Sequence, residues 1–256
     1  AVSAYIERVE GDTFHGLVDG LGFTGSAQVG SNALVRQLTL MENAQMSAFD
    51  GANISGATIE KGGVMTLTRD AVVQDLDVKN GGMVILSSGA TVTDAALENG
   101  AVISAGATTQ LKDITVSAGA TLNITGYEAV LSGDITLLSD GNNSGLLVVE
   151  GDINVADAVI SIDLSNRDAI PDLMGDYVCQ ISNFNATAEA VIAVNIADNQ
   201  AEGAYLLGAQ GINFGGTLTI SAGVNEIGAL SFANDLVVGD FAFTLSTDDF
   251  GRLYLN

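Results

Sequence analysis

Three equally spaced aspartates are the residues of this chain with the clearest capacity for chemistry. Asp75, Asp94 and Asp113 follow one another at 19-residue intervals. Carboxylates brought together in this way can bind calcium, which prefers oxygen ligands, or can act as the acid and base of a glycoside hydrolase. They can also cap turns by accepting hydrogen bonds from nearby backbone N–H groups. Turn capping is the simplest interpretation, and a calcium-binding ladder is the sharper alternative.

Other catalytic groups are scarce or scattered. His15 is the only histidine and Cys179 the only cysteine, so their number excludes a Cys/His metal site and an intrachain disulfide. Cys179 is expected to be a small buried side chain. Lyases that act on acidic sugars need basic residues close to the substrate, but the basic residues in and near the repeat share no common position. These residues are Arg36, Lys61, Arg69, Lys79 and Lys112.

The charge balance is strongly acidic. The 256 residues carry 8 Lys plus Arg against 31 Asp plus Glu, for a net charge of −23. This balance argues against nucleic acid and anionic membranes as partners, because phosphates would find no basic surface. No apolar run approaches the roughly 20 residues that span a bilayer, so no membrane insertion is expected. Hydrophobic residues make up 47%, which is too many for a disordered acidic tail.

The aspartates belong to a 19-residue repeat that is marked by glycines. Gly62, Gly81, Gly100 and Gly119 recur at this spacing, and Asn43 takes the same position one step earlier. Asn tolerates the left-handed backbone conformation that Gly adopts freely, so this position predicts a turn.

Apolar residues also recur at fixed positions of the repeat. The first position reads Leu40, Ile59, Val78, Leu97 and Val116, and the seventh reads Met46, Met65, Val84, Ile103 and Leu122. The ninth position is apolar as well, and this alternation of period two indicates β-strands. Apolar positions combined with glycine turns at this period predict an all-β solenoid of stacked 19-residue coils. In such a stack Lys79 would lie between Glu60 and Glu98 and form an outward charge ladder.

The regularity of the repeat divides the chain into three parts. Residues 1–39 are predicted to be an N-terminal cap and a degraded coil, and residues 40–165 a regular parallel β-helix. Residues 166–256 are predicted to be irregular β coils or a β-sandwich-like cap. Strand-like runs in this last part are 177–181, 190–196, 205–207, 217–220, 236–238, 241–245 and 253–255. Most of its phenylalanines are expected in the core; they are Phe184, Phe214, Phe232, Phe241, Phe243 and Phe250.

Two segments of the repeat resemble a known family. Residues 78–92, VKNGGMVILSSGATV, and residues 116–124, VSAGATLNI, resemble the Gly-rich passenger repeats of bacterial autotransporter adhesins. The resemblance covers about residues 40–125 and extends loosely to residues 215–220, GGTLTI. It implies a single-stranded, right-handed parallel β-helix that is exported to the bacterial cell surface or the extracellular space. These motifs specify a fold and identify no ligand.

Two kinds of function follow as expectations. The first is a non-enzymatic surface module for adhesion, self-association or display, which needs no cofactor, although calcium is a candidate ligand. Its partner would be a protein or glycan on a cell surface, or a second copy of the chain. The alternative is a carbohydrate-binding or carbohydrate-cleaving β-helix protein. Fold analogy alone is a poor argument for an enzyme, so the first expectation is preferred.

Overall fold

The structure is a computed structural model that describes residues 5–14 (backbone only), 17–140, 143–150, 152–155, 158–169, 181–182, 185–186, 191–208 and 217–256. Every regular element in these residues is a β-strand, which confirms the all-β prediction. His15 and the predictions for Cys179, Phe184 and Phe214 lie outside the described residues, as does most of the strand predicted over 177–181.

The first half of the chain alternates short and long strands. In chain order they are β1 (Tyr5–Phe14), β2 (Leu17–Asp19), β3 (Leu21–Val29), β4 (Leu34–Leu40), β5 (Gln45–Ala48), β6 (Asn53–Ile59), β7 (Val64–Leu67), β8 (Val72–Val78), β9 (Met83–Leu86), β10 (Thr91–Leu97), β11 (Val102–Ala105), β12 (Gln110–Val116), β13 (Thr121–Ile124) and β14 (Ala129–Leu137). One short and one long strand make up each 19-residue coil from β5 onward.

Equivalent strands of successive coils pair in parallel and in register. Met46 lies opposite Met65 in the next coil, and Met65 lies opposite Val84 in the one after. This pairing confirms the predicted parallel β-solenoid. It also includes the residues before Leu40, because β4 pairs with β6 and β1 pairs in parallel with β3. Residues 21–137 are called the shaft below.

Three columns of left-handed residues form the corners of the shaft. All nine described non-glycine residues with positive φ lie in these columns. The first column is Asn32, Gly51, Asp70, Gly89, Thr108 and Glu128. The second is Gln37, Gly56, Asp75, Asp94, Asp113 and Gly133. The third is Asn43, Gly62, Gly81, Gly100 and Gly119. Asn43 has a φ of 61°, so the prediction that it replaces glycine at the turn is confirmed.

The second column bends each long strand at its middle residue. In β8, Val73 and Leu76 are both buried although two outward residues, Gln74 and Asp75, separate them. A straight strand would place Val73 and Leu76 on opposite faces. The left-handed residue at position 75 turns the backbone, so both halves of the strand direct side chains into one continuous core.

The 19-residue spacing is lost at β14, where Val130 pairs with Gln110 and Ile135 with Ile114, but the coils beyond it stay parallel. The strands here are β15 (Ser139–Asp140), β16 (Asn143–Ser144), β17 (Leu146–Val149), β18 (Asp152–Asn154), β19 (Ala158–Asp163), β20 (Ile181–Ser182), β21 (Asn185–Ala186), β22 (Val191–Ile196), β23 (Tyr205–Gly208) and β24 (Thr217–Ala222). Strands β14, β19, β22 and β24 form one parallel ladder.

Antiparallel strands close the C-terminal end. They are β25 (Asn225–Ser231), β26 (Leu236–Val238), β27 (Phe241–Phe243), β28 (Leu245–Thr247) and β29 (Leu253–Leu255). Strand β25 folds back on β24, β29 pairs with β23 and β28, and β26 and β27 form a separate hairpin. The sequence predicted β26 and β29 with their observed bounds but gave no signal for β25.

A short chain of polar side chains connects three of the parallel strands. The Asn195 amide donates from Nδ2 to Asp163 Oδ1 at 3.0 Å. Asn195 Oδ1 in turn accepts from the backbone N–H of Gly223 at 2.9 Å. Because these hydrogen bonds link β19, β22 and the turn after β24, they tie the C-terminal end to the preceding coils.

Candidate functional site

The predicted aspartate column exists, but it lies at a strand corner and not in a turn. Asp75, Asp94 and Asp113 have φ values of 55°, 55° and 54° in the middle of their strands. The register stacks the three residues directly on one another. The Asp113 carboxylate accepts a hydrogen bond from Asp134 N at 3.0 Å, a backbone group of the next coil. The interpretation that each Asp caps its own turn is therefore wrong for Asp113.

In the described residues, the aspartate column does not form a closed ion site. No group of three or more His, Cys, Asp or Glu side chains converges there as metal ligands. Asp75 also borders a shallow depression of about 260 Å³, which forms where Gly56 contributes no side chain. Calcium binding by Asp75, Asp94 and Asp113 stays a prediction.

The predicted charge ladder forms on one side only. Lys79 Nζ lies 2.8 Å from Glu98 Oε1 in the next coil and also contacts Asp77, two residues earlier in the same coil. Hydrogen bonds to Asp77 and Glu98 raise the pKa of the Lys79 ammonium, and the bond from Lys79 lowers the pKa of the Glu98 carboxyl. Lys79 thus takes its second carboxylate partner from its own coil, and not from Glu60 in the preceding coil as the sequence predicted.

One face of the shaft, which β17 continues beyond residue 137, carries no charge. The face consists of the outward side chains of six short strands and of the end of β3, two residues from each of seven strands in parallel register. We call it the uncharged face. Its residues are Ser26, Gln28, Gln45, Ser47, Val64, Thr66, Met83, Ile85, Val102, Ser104, Thr121, Asn123, Leu146 and Val148.

The centre of the uncharged face is apolar and accessible. Met83 is 39% exposed and Ile85 is 36% exposed, and Val64 and Val102 flank Met83 on the adjacent strands. Charged residues begin only at the neighbouring corners. On the two sides these are Glu42, Glu60, Lys61, Lys79 and Glu98, and Asp50, Arg69 and Asp70. In a chain with 31 acidic residues, a flat surface without any charge is a defined feature of the shaft.

An unsatisfied polar atom lies within the same face. Within the described part of the chain, the buried Oδ1 atom of Asn123 has no hydrogen-bond partner. Buried polar atoms in native proteins nearly always have a partner. The uncharged face therefore combines exposed apolar side chains with an acceptor that lacks a donor.

The C-terminal end exposes the aromatic residues that were expected in the core. Phe232 and Phe241 are each 53% exposed and Phe250 is 62% exposed, so the core prediction is wrong for these three residues. Phe243 is partly buried and packs against the core. These side chains belong to antiparallel segments, over which no parallel coil stacks within the described residues.

A groove of about 440 Å³ lies beside the β26–β27 hairpin. One wall is formed by residues 196–205, the other by residues 240–243, and Leu255 and Asn256 lie between them. Asp198, Glu202 and Asp240 line the groove, and none of the described lining residues is Lys or Arg. We call it the C-terminal groove.

Comparisons with known proteins complete the description of these surfaces. No protein-family model matches the chain, and no curated protein matches it significantly. Among solved structures the chain is similar to the crystal structure of a TibC-catalyzed hyper-glycosylated TibA55-350 fragment, with 15% identity and a TM-score of 0.35. The match covers 86% of this chain and 93% of that chain. At this identity and TM-score, the likeness carries no argument about function.

The residues that the structure describes include no helix long and apolar enough to span a membrane.

The sequence predicted the aspartate column but neither the uncharged face nor the C-terminal groove. A signal for the uncharged face was present, because the sixth and eighth positions of the repeat are free of charge in every regular unit. The C-terminal groove had no such signal, since its walls come from segments with no common spacing.

Proposed function

We propose that this chain is a non-enzymatic, exported surface module, and that its shaft associates with a second copy through the uncharged face. The observation that carries this proposal is the absence of charge from two outward columns on seven successive strands. Two chains of net charge −23 repel each other at long range. Contact through the uncharged face brings apolar side chains together and keeps the acidic corners apart.

The size of the face predicts weak association between isolated copies. Six strand spacings of about 4.8 Å and a width of four residues give roughly 400 Å² of flat area per chain. A pair of faces would bury roughly 800 Å², which is below the 1,200–2,000 Å² typical of stable complexes. Many copies displayed on one surface would add their contacts and produce adhesion through avidity. A self-associating surface protein fits this pattern better than a permanent dimer.

Beads that carry the chain through an added N-terminal tag test this proposal. Suspensions of wild-type beads should aggregate in a light-scattering assay, and aggregation should increase with salt because screening reduces the repulsion. Met83→Glu combined with Ile85→Glu places charge at the centre of the uncharged face and should abolish aggregation. The control is Thr91→Glu with Thr93→Glu, which adds the same charge to outward positions of β10.

Two results would contradict the proposal. One is a wild-type suspension that stays dispersed at every salt concentration. The other is an equal loss of aggregation in both double variants, since net charge alone would then explain the effect. Far-UV circular dichroism of each variant shows that the solenoid is intact. A calcium requirement, and a protein or glycan of another cell as partner, are tested with the same beads by adding EDTA or the candidate partner.

A further inference from the structure

The wall of the C-terminal groove that β27 forms is a strand edge. Four consecutive residues, Asp240, Phe241, Ala242 and Phe243, line the groove. Successive side chains of a strand point to opposite faces, so a cavity against one face would be lined by alternate residues only. Lining by all four residues means that the groove runs along the edge of the strand.

This edge has unused backbone hydrogen-bonding groups. Within the described residues, β27 pairs only with β26, through Val238↔Phe241, Val237↔Ala242 and Leu236↔Phe243. Val238 and Phe241 flank a two-residue turn, and the residues in that position of a hairpin exchange both hydrogen bonds. The next pair is then non-hydrogen-bonded, so the N–H and C=O of Ala242 point away from β26 and toward the groove. Ala242 is exposed, as an open edge requires.

The acidic lining of the groove favours a positively charged ligand. Asp198 and Glu202 on one wall and Asp240 on the other supply three carboxylates, and the described lining residues include no basic side chain. Phe241 adds a half-exposed aromatic ring that can contact an aliphatic stem or a cation. The Tyr205 hydroxyl is already engaged, because it donates to Ala201 O at 2.7 Å.

We propose that the C-terminal groove binds an extended, Lys- or Arg-containing peptide segment of a partner protein, which adds as a strand to the free edge of β27. Strand addition supplies affinity through the backbone, and pockets along the edge supply side-chain specificity. The volume of 440 Å³ falls in the range of ordinary ligand sites and suits a segment of a few residues. A second copy of this chain is a poor occupant, because it carries only 8 basic residues against 31 acidic ones.

Fluorescence anisotropy with a labelled Lys-Val-Lys-Val-Lys peptide tests the proposal on the full chain. Replacing Asp198→Asn, Glu202→Gln and Asp240→Asn together should weaken binding at least about tenfold, because the charge-assisted contacts are lost. The control triple variant is Asp19→Asn, Glu42→Gln and Glu60→Gln, which changes the net charge equally at a distance from the groove. It should bind like the wild type.

A second pair of variants separates strand addition from general attraction to an acidic protein. Ala242→Pro removes the N–H that faces the groove and leaves the hairpin hydrogen bonds in place, so the peptide should bind several-fold to tenfold more weakly. Val237→Pro is the matched control, because it lies opposite Ala242 and its N–H points to the other edge. A peptide that is N-methylated at alternate residues should lose affinity by a similar factor for the wild type.

Three outcomes would overturn the proposal. The first is equal weakening by both triple variants, which would indicate unspecific charge attraction. The second is that Ala242→Pro binds the peptide as tightly as the wild type does, and that the wild type binds the N-methylated peptide without loss of affinity. This result would exclude strand addition. The third is a neutral oligosaccharide that binds the groove when the peptide does not, which would make the site a glycan site. None of these results depends on the bead assay, so the two proposals fail separately.

Discussion

The shaft and the C-terminal end treat the same kind of side chain in opposite ways. Phe23 in the shaft is fully buried, whereas Phe250 at the C-terminal end is 62% exposed. Phe23 projects from a strand whose neighbours on both sides are parallel coils. Phe250 lies in the turn between two strands whose described pairings are antiparallel. The position in the stack, and not the residue type, decides which apolar side chains reach the core.

The two regions also differ in how they stabilise their turns. In the shaft, left-handed residues recur at each corner, and backbone hydrogen bonds from one coil to the next join several of them. At the C-terminal end one side chain, Asp248, organises the turn between β28 and β29. It accepts hydrogen bonds from Phe250 N and Arg252 N through Oδ1, and from Arg252 Nε through Oδ2 at 2.6 Å. The shaft thus depends on a repeated backbone pattern, and the end on individual side chains.

The largest effect is expected from a charge inside the shaft. Ile103 is fully buried and stacks between Val84 and Leu122. Ile103→Asp would bury an unpaired carboxylate and should destabilise the protein by about 4 kcal/mol or more. Val102→Asp on the same strand points outward and should cost less than about 1 kcal/mol. Urea unfolding followed by far-UV circular dichroism measures both, and equal costs would contradict the assignment of the core positions.

An intermediate effect is expected at a left-handed corner. Gly100 has a φ of 76°, and a Cβ there would meet no heavy atom closer than 3.5 Å, so a substitution tests backbone conformation alone. Gly100→Val should cost about 2 kcal/mol, because β-branched residues avoid the left-handed region. Gly100→Asn should cost clearly less, since Asn43 occupies the same column naturally. Similar urea midpoints for the two variants would mean that this corner isn't under conformational constraint.

The structure of the shaft could be predicted from the sequence more completely than that of the C-terminal end. In the shaft, each coil repeats the environment of the previous one, so Asn43 could be assigned its turn from Gly62 and Gly81 alone. At the C-terminal end each strand meets a different neighbour. Nothing in the residues of β25 indicates that it folds back on β24, and the exposure of Phe241 depends on that arrangement. The uncharged face is an intermediate case. The sequence shows that the sixth and eighth positions of the repeat carry no charge, but only the parallel register of the strands brings these positions together as one face.

A smaller and pH-dependent effect is expected at Asp248. Burial alone would raise the pKa of this carboxyl, but hydrogen bonds from Arg252, Phe250 and Tyr254 outweigh it, so the pKa lies below its ordinary value. A lowered pKa in the folded state stabilises the protein above the ordinary value of about 4, and this stability is lost as the pH falls through the folded pKa. Asp248→Asn should lower the melting temperature at pH 7 and lose its effect at strongly acidic pH.

Tyrosine fluorescence during heating can follow this transition, because Tyr254 donates its hydroxyl to Asp248. Asp249→Asn is the control, since it removes an adjacent carboxylate that is exposed to solvent. A difference between Asp248→Asn and wild type that stays constant from pH 7 to pH 3 would rule out the ionised carboxylate as its source.

The smallest effect is expected at the aspartate column, and its sign tests the calcium hypothesis. In the absence of calcium, Asp94 stacks between Asp75 and Asp113, and three carboxylates in one column repel one another. Asp94→Asn keeps a residue that tolerates the left-handed conformation and should stabilise the protein by a few tenths of a kcal/mol at low salt. If the column binds calcium, EDTA lowers the melting temperature of the wild type, and Asp94→Asn removes that response.

Asp70→Asn is the matched control for this last experiment. Asp70 also has a left-handed backbone, with a φ of 59°, but its column neighbours are Gly51 and Gly89. The same substitution there relieves no repulsion and removes no shared ligand, so neither stabilisation nor a change in the response to EDTA is expected. Equal stabilisation by both variants would show that backbone preference is the cause, and an unchanged melting temperature in EDTA would count against calcium. The corner column would then be a structural bend that happens to be acidic.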